Sequence, residues 1–491
     1  WVDASRHALI TMVMSENGQF LRSYEPYLPI EEPLYHFGFH TISAGFVLLS
    51  GRFWPLETVL LGMMQLLSSL MPLVVYAGVK ILSRQRAAAW LAAFLVAFPF
   101  FFPAYYTTWG RLTQLTGGLI MAILIAVTWQ SVRREKDERP LWPLVALLAA
   151  GLFLIHFRVF TFYLPLAVLV FFLGVLRGRI WPLIAAGGVA AVGVLPQLLT
   201  LIRPNLRPVL PGGETFVRNT NPFPTGYVTT GWEMYFWIAA GVGVVVLIGL
   251  MLIGRERGAP ALLLASWIGI LFLLTAGELI GWIVVLPQTG LNSMYISLFV
   301  PQAMLLGIVG VIVWRSVTDL HWILLVMGHV TTGAILCVLF LFGVRYQLTL
   351  LNEVTFLARP ADQAALVWVR ENTPSEAKFA VNSWRWFPAV WASSDGSGWL
   401  VPLTGRQATT PPIDYAFDRA ILTQVQLFND GAENIEDWST AEAAELFRQH
   451  GVTHVYVGHK GGFLEPAELS RNEALALLYV EDGVYIFALK D

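Results

Sequence analysis

The amino-acid sequence predicts an α-helical polytopic membrane protein that ends in a small extracytoplasmic α/β domain. Three observations carry this expectation. Hydrophobic residues make up 56% of the 491 residues and charged residues only 13%, against about 25% charged in soluble domains. Apolar runs approaching the roughly 20 residues needed to cross a bilayer recur through the chain. Beyond residue 345 they give way to short helix and strand signals.

Ten spans are expected, over 55–82, 87–103, 112–130, 141–155, 159–176, 181–202, 233–253, 259–280, 292–314 and 321–344. Lys and Arg collect in cytoplasmic loops and so orient the spans. Arg84 and Arg86 follow the first run, "RREKDER" (133–139) the third and "RGR" (177–179) the fifth. "GRERG" (254–258) follows the seventh and Arg315 the ninth. The intervening loops, 203–232 among them, carry fewer cations and belong outside, on the side of a multi-pass cell membrane protein that also holds the C-terminal domain.

Residues 1–54 then form an extracytoplasmic first loop, 55–344 the transmembrane domain and 345–491 the soluble domain. Within the first loop, "LYHFGFHTISAGFVLLSG" (34–51) is short for a span, and a crossing there would invert residues 1–33. It is expected as a helix lying in the membrane interface. The same alternation expects one more span before Trp1, about eleven in all.

In the C-terminal segment, "ADQAALVWVRENTP" (361–374) reads as a helix stopped by Pro, and "KFAVNS" (378–383) as a strand. "TAEAAELFRQHGVTHVYVG" (440–458) reads as helix, Gly stop and strand. "LYVEDGVYIFAL" (478–489) reads as two strands across a turn. The single cysteine, Cys337, lies in an apolar run. It excludes an intrachain disulfide and is expected to pack in the interior.

Walker loops, G-x-S-x-G and H-E-x-x-H motifs and cysteine clusters are absent, and no nucleic-acid partner is expected. The polar groups assigned to the outer face are therefore the candidates for chemistry. They are Asp3, Arg6, His7, Glu25, Glu31, Glu32, His36 and His40 of the first loop, then Trp109, Arg111 and Gln114, then His156 and Arg158, with Glu278 near the outer end of a span. Ionisable residues at membrane depth are costly and mark function. Asp3 shares a helical face with His7, as His36 does with His40. That spacing suits a carboxylate base supported by histidine, or a divalent metal held by Asp3, His7, His36 and His40; it equally suits interfacial histidines that cap and hydrogen-bond. Arg111 and Arg158 each stand at the mouth of a span. They could clamp a lipid phosphate bidentately or snorkel to headgroups.

The order of these elements resembles the GT-C-type glycosyltransferases, in the branch of protein mannosyltransferases and lipid A aminoarabinose transferases. That branch opens its first outer loop with D-E-x-R-Y, follows with G-D-W, then E-K-P-P-L-Y-Y-W on a juxtamembrane helix, and places G-R-x-x-x-T-D in the next outer loop. Here "DASRHA" (3–8), "NGQF" (17–20), "EEPLYHF" (31–37) and "WGRLTQLTG" (109–117) stand in that order. The similarity covers roughly the first 180 residues. It implies a juxtamembrane 34–51 helix, a polyprenyl-phosphate-linked sugar as co-substrate, and a glycan, lipid or protein acceptor.

On the family's pattern Asp3 is the catalytic carboxylate. Taken with the polar groups of the outer face, Arg6, Arg111 and Arg158 are expected to bind the donor phosphate, and His7, His36, Glu31, Glu32 and Gln114 to orient substrate. The pattern is altered at Ala4, which replaces its second acid, at Glu32, which replaces its lysine, and in the second loop, where its aspartate is either replaced by Gln114 or absent. Those changes keep a second reading open: an inactive accessory or scaffold subunit of a membrane complex. A transporter ranks last, because no inverted repeat is visible.

Overall fold

The computed structural model describes residues 2–31, 35–51, 53–133, 139–202, 233–254, 258–275, 291–318, 322–351, 353–387 and 389–490. Among these, seven helices are long and apolar enough to cross a membrane. They are α3 (Leu56–Ser83), α6 (Leu112–Ser131), α8 (Phe157–Leu176), α9 (Trp181–Ile202), α10 (Glu233–Leu252), α13 (Phe299–Thr318) and α14 (Trp322–Leu350). Helix α6 is the axis of the bundle. All of its residues except Ile120 and Ile123 are buried, against α3, α7 (Trp142–Ile155) and α8. By contrast α14 is exposed along nearly its whole length. Cys337 lies on it and is exposed, not buried as its apolar surroundings suggested, because that helix is peripheral.

Three of the ten expected spans form shorter apolar helices: α4 (Arg86–Ala97), α7 and α11 (Ala259–Thr275). The expected 87–103 run stops at Ala97 because Pro99 and Pro103 interrupt it, and a proline cannot continue a helical hydrogen-bond ladder. After that break, Phe100, Phe101 and Phe102 turn inward and are buried. The expected 292–314 span divides into the short α12 (Leu291–Tyr295) and α13, with Pro301 in the first turn of α13, where proline is tolerated. The outer end of the 259–280 run, with Glu278, lies outside the described residues, as do Glu32 and the 203–232 loop.

The first loop folds as α1 (Val2–Asn17) and α2 (Gly38–Leu49). The 12 residues of α2 reach about 18 Å, too short for the hydrocarbon core. One face of α2 is buried through Phe39, His40, Ser43, Ala44 and Val47, while Ile42, Phe46 and Leu49 stay exposed. Gly38 lets α2 start hard against the end of α7: a Cβ there would lie 2.7 Å from Ile155.

The C-terminal domain is a mixed five-stranded sheet in the order β4-β1-β5-β7-β6 with an added β2-β3 hairpin. The strands are β1 (Lys378–Val381), β2 (Ser383–Phe387), β3 (Val390–Ser393), β4 (Gln407–Ala408), β5 (His454–Val457), β6 (Leu475–Glu481) and β7 (Val484–Leu489). Strand β1 runs parallel to β4 and β5, and β7 runs antiparallel to β5 and β6. The β6-β7 turn places Asp482 and Gly483 at positive φ, the signature of a two-residue hairpin loop. Helix α15 (Pro360–Asn372) forms where the sequence predicts a helix, and α16 (Ala441–Gln449) ends just before Gly451, φ 64°.

The two ends of the chain share one core. Leu9, Ile10, Val13 and Met14 of α1, with Tyr24 and Ile30, pack with Leu366, Phe379, Val381, Leu400 and Ile486 of the C-terminal domain. Ala8 joins a second cluster with Phe39, Leu60, Met63, Leu112 and Ile155 of the membrane bundle. Helix α1 is thus wedged between the membrane domain and the α/β domain, which explains why a segment of low hydrophobicity is nearly all buried.

Candidate active site

Helix α1 presents Asp3, Arg6 and His7 within one turn. Beside it, α5 (Ala104–Trp109) ends at Gly110, whose φ of 76° turns the chain into α6. Glycine adopts that conformation without steric cost. A Cβ at Gly110 would meet Ala4 at 3.1 Å, so the first helix and the second loop touch here almost backbone to backbone. Ala4, where the family's pattern has its second acid, faces this contact.

The close approach sets Asp3 beside Arg111, with Oδ2 3.4 Å from Nε. The Arg111 guanidinium also lies 3.9 Å over the Trp109 ring. Arg111 precedes the first residue of α6, and Gln114 stands one turn in. Arg111 Nη1 donates to Gln114 Oε1 at 3.2 Å. Gln114 Nε2 donates to Ser297 Oγ at 2.8 Å and to the Ser293 carbonyl at 3.3 Å. Ser293 Oγ in turn accepts from Arg158 Nη1 at 3.0 Å. Asp3, Arg111, Gln114 and Arg158 are therefore one connected polar array. Arg158 Nε is buried with no hydrogen-bond partner among the described residues. Among the described residues two guanidinium groups face a single carboxylate, which leaves local positive charge suited to an anion.

Beneath this array lies a histidine quartet. His7 Nδ1 and His40 Nε2 are 2.9 Å apart, hydrogen-bonded with roles set by the tautomers. The His36 ring stacks on Tyr35 at 4.0 Å and lies 4.5 Å from His156. His156 accepts from Val159 N–H and so caps α8. All four are buried, and among the described residues neither ring nitrogen of His36 has a partner. Burial, followed by neighbouring His40 and then Arg6, holds His7 well below its ordinary range. Burial and then His156 do the same to His36. Burial and Arg6 push His40 down to about 3. At neutral pH these rings are uncharged imidazoles, able to exchange hydrogen bonds with hydroxyl groups.

Arg6 points elsewhere. Its Nε donates to Asp414 Oδ1 and Oδ2 at 3.0 and 3.1 Å, and Nη2 approaches Oδ1 at 2.8 Å. The same guanidinium lies 3.9 Å over the Tyr35 ring. Tyr24 Oη donates a further bond to Asp414 at 2.8 Å. Glu25 and Glu31 are exposed, and Glu31 bridges Ser23 through its backbone. Among the described residues no three His, Cys, Asp or Glu side chains are placed to hold a metal ion. His7 and His40 are turned to each other, and Asp3 to Arg111.

Sequence reasoning missed Ser293, Ser297, Tyr35 and Asp414. Ser293 lies within "QTGLNS" (288–293), a loop the basic-residue pattern assigns to the outside, which is a signal that could have been followed. Asp414 offers none, since nothing local links it to Arg6. It also missed Glu233, an acidic residue at the head of an apolar run. Glu233 is buried and accepts from Phe101 N–H at 3.0 Å.

No family model matches the chain, and no curated protein matches it by sequence. Solved structures do. The archaeal oligosaccharyltransferase AglB from Archaeoglobus fulgidus, in complex with an inhibitory peptide and a dolichol-phosphate, aligns at TM-score 0.54 and 11% identity, over 99% of this chain and 70% of that one. ArnT from Cupriavidus metallidurans, bound to undecaprenyl phosphate, aligns at 0.56 and 13%, over 99% and 93%. The mycobacterial arabinofuranosyltransferase AftD aligns at 0.52 and 14%, over 99% of this chain but 39% of its own length. All three are GT-C glycosyltransferases, and this chain has their fold.

Proposed function

We propose that the protein transfers a sugar, with inversion, from a polyprenyl-phosphate-linked donor to an acceptor hydroxyl on the extracytoplasmic side of the membrane. The observation that carries this reading is the pair Arg111 and Arg158, joined through Gln114 and Ser293 and set against one carboxylate, Asp3. Two of the proteins that share the fold are described with polyprenyl-type phosphates, dolichol-phosphate in AglB and undecaprenyl phosphate in ArnT. The sidedness follows from the basic loops of the sequence.

The steps follow from charge. Asp3 accepts the proton of the acceptor hydroxyl as that oxygen attacks the anomeric carbon, and positioned bases contribute about 10²–10⁴-fold. The bond to the phosphate oxygen breaks, and Arg111 and Arg158 take up the negative charge of the departing lipid phosphate. Gln114 holds Arg111 in place. The neutral His7 and His36 contact sugar hydroxyls, and Arg6, held by Asp414, adds to the positive field. The soluble domain closes over the site through its shared core with α1 and selects the acceptor. The test is transfer from a lipid-linked sugar by Asp3→Asn. Turnover should fall at least 10²-fold, and undiminished turnover would overturn the assignment.

A second reading is favoured by one observation: Ala4 faces Gly110 where the family's pattern has its second acid. On this reading the chain is a non-catalytic subunit of a membrane complex. Stoichiometric co-purification with a larger assembly from native membranes, with no bound polyprenyl lipid, would select it.

A further inference from the structure

The far ends of α6 and α8 carry a second cluster of cations. Each helix has 20 residues, so these ends lie about 30 Å from Arg111 and Arg158. Trp129, in the last turn of α6, is buried, and its indole N–H has no hydrogen-bond partner among the described residues. The Arg133 guanidinium lies 5.3 Å from the Trp129 ring centre, and that of Arg177 lies 5.8 Å from it. Arg84 ends α3 in the left-handed conformation, φ 62°, at the same end of the bundle. Gln130 ties α6 to that end of α3 by donating to the Ile81 carbonyl at 2.6 Å. Gly174 lets α8 close on α6: a Cβ there would stand 3.3 Å from Val132.

Two arginines from two helix ends thus meet at Trp129, with Arg84 at the end of a third helix on the same side, and among the described residues none of the three has a carboxylate partner. Burial, then Arg177 and Arg84, depress the Arg133 guanidinium below its ordinary value. Like charges gathered on one indole repel one another, and an anion relieves that repulsion. Guanidinium groups favour phosphate oxygens because their donors match the geometry bidentately.

We propose that Arg133 and Arg177, gathered at Trp129, form with Arg84 nearby a phosphate-binding site at the end of the bundle opposite Asp3, filled by the headgroup of an anionic membrane lipid. Its place at the ends of membrane helices favours a lipid as the source of the phosphate. The site is separate from sugar transfer and does not depend on that reading.

The experiment is lipid titration of the full-length protein, followed by native mass spectrometry, with phosphatidylglycerol and phosphatidylcholine. Phosphatidylglycerol should bind more tightly. Arg133→Gln and Arg177→Gln should each weaken it about fivefold. Arg315→Gln removes the same charge from another helix end and should leave binding unchanged. Inorganic phosphate is added as competitor. Failure to displace the lipid supports a headgroup site, whereas full displacement at millimolar concentration supports the phosphate site with a soluble ester as its source. Equal weakening by Arg315→Gln, or none in the Arg133→Gln/Arg177→Gln double variant, would overturn the proposal.

Discussion

Arg6 and Asp414, 408 residues apart, form a bidentate ion pair that joins the first helix to the C-terminal domain. Asp414 is fully buried and Arg6 nearly so. Removing one partner of such a pair strands the other charge in the interior and costs about 3–5 kcal/mol. Asp414→Asn should therefore lower the unfolding midpoint far more than Arg385→Gln, which breaks an exposed pair with Asp430 and Glu433. Because Arg6 shares α1 with Asp3, Asp414→Asn should also reduce transfer. A double-mutant cycle with Arg6→Gln would separate the pair's coupling from packing.

Gly110→Ala tests the contact that seats Asp3. The substitution forces an L side chain into positive φ and places its methyl 3.1 Å from Ala4. A cost of about 1–2 kcal/mol is expected from the backbone alone. Displacement of α1 should lower transfer beyond what the stability loss explains. Chemical denaturation and turnover measured on one preparation would show both effects.

His36 distinguishes a binding role from a structural one. Its ring packs on Tyr35 and His156, yet neither nitrogen is hydrogen-bonded among the described residues. His36→Phe keeps the packing and removes two buried polar atoms without partners, so stability at neutral pH should hold or rise. If His36 contacts sugar hydroxyls, KM for the donor should rise in this variant. Unchanged kinetics would reduce His36 to a packing residue.

The histidine quartet also sets a pH dependence. The pKa values of His7, His36 and His40 are depressed by burial and, after it, neighbouring histidine and arginine groups. Above about pH 6.5 both folded and unfolded chains hold these rings neutral, so they contribute no slope. As pH falls below that value, the unfolded chain binds protons that the folded chain does not, and stability drops. Each ring adds about 1.4 kcal/mol per pH unit, and for His40 the loss continues toward about 3. His36→Phe should flatten the stability curve as pH falls below about 6.5, since His36 then no longer contributes a proton bound only in the unfolded chain. An unchanged slope would mean that His36 protonates freely in the folded protein.

Much of the architecture was legible in the chain because a bilayer imposes a one-dimensional rule. A backbone in hydrocarbon must satisfy its own hydrogen bonds, so spans appear as apolar runs of defined length. The runs that became α3, α6 and α8 follow that rule. Those ending in "FPFFFP" or beginning near Pro301 do not, because proline relocates the helix boundary. The alternating strands of the C-terminal domain were equally local.

The candidate site was legible only in part. Asp3 and His7 share a face by helical periodicity alone, and Arg111 and Arg158 were exposed as candidates by the cost of charge in an apolar setting. Their companions were hidden by sequence distance: Ser293 bridges toward Arg158, His36 meets His156, and Asp414 takes Arg6.

The sequence by itself determined which segments are apolar, where helices stop and which charged groups stand near the ends of the spans. These properties depend on neighbours a few residues away. Only the tertiary structure decided that α1 lies between two domains, that Ala4 meets Gly110, and that Arg6 is bound to Asp414 while Arg111 is left to face Asp3. Those outcomes arise from burial of α1 in a core built by both ends of the chain, where each cation must find a partner or keep its contact with water.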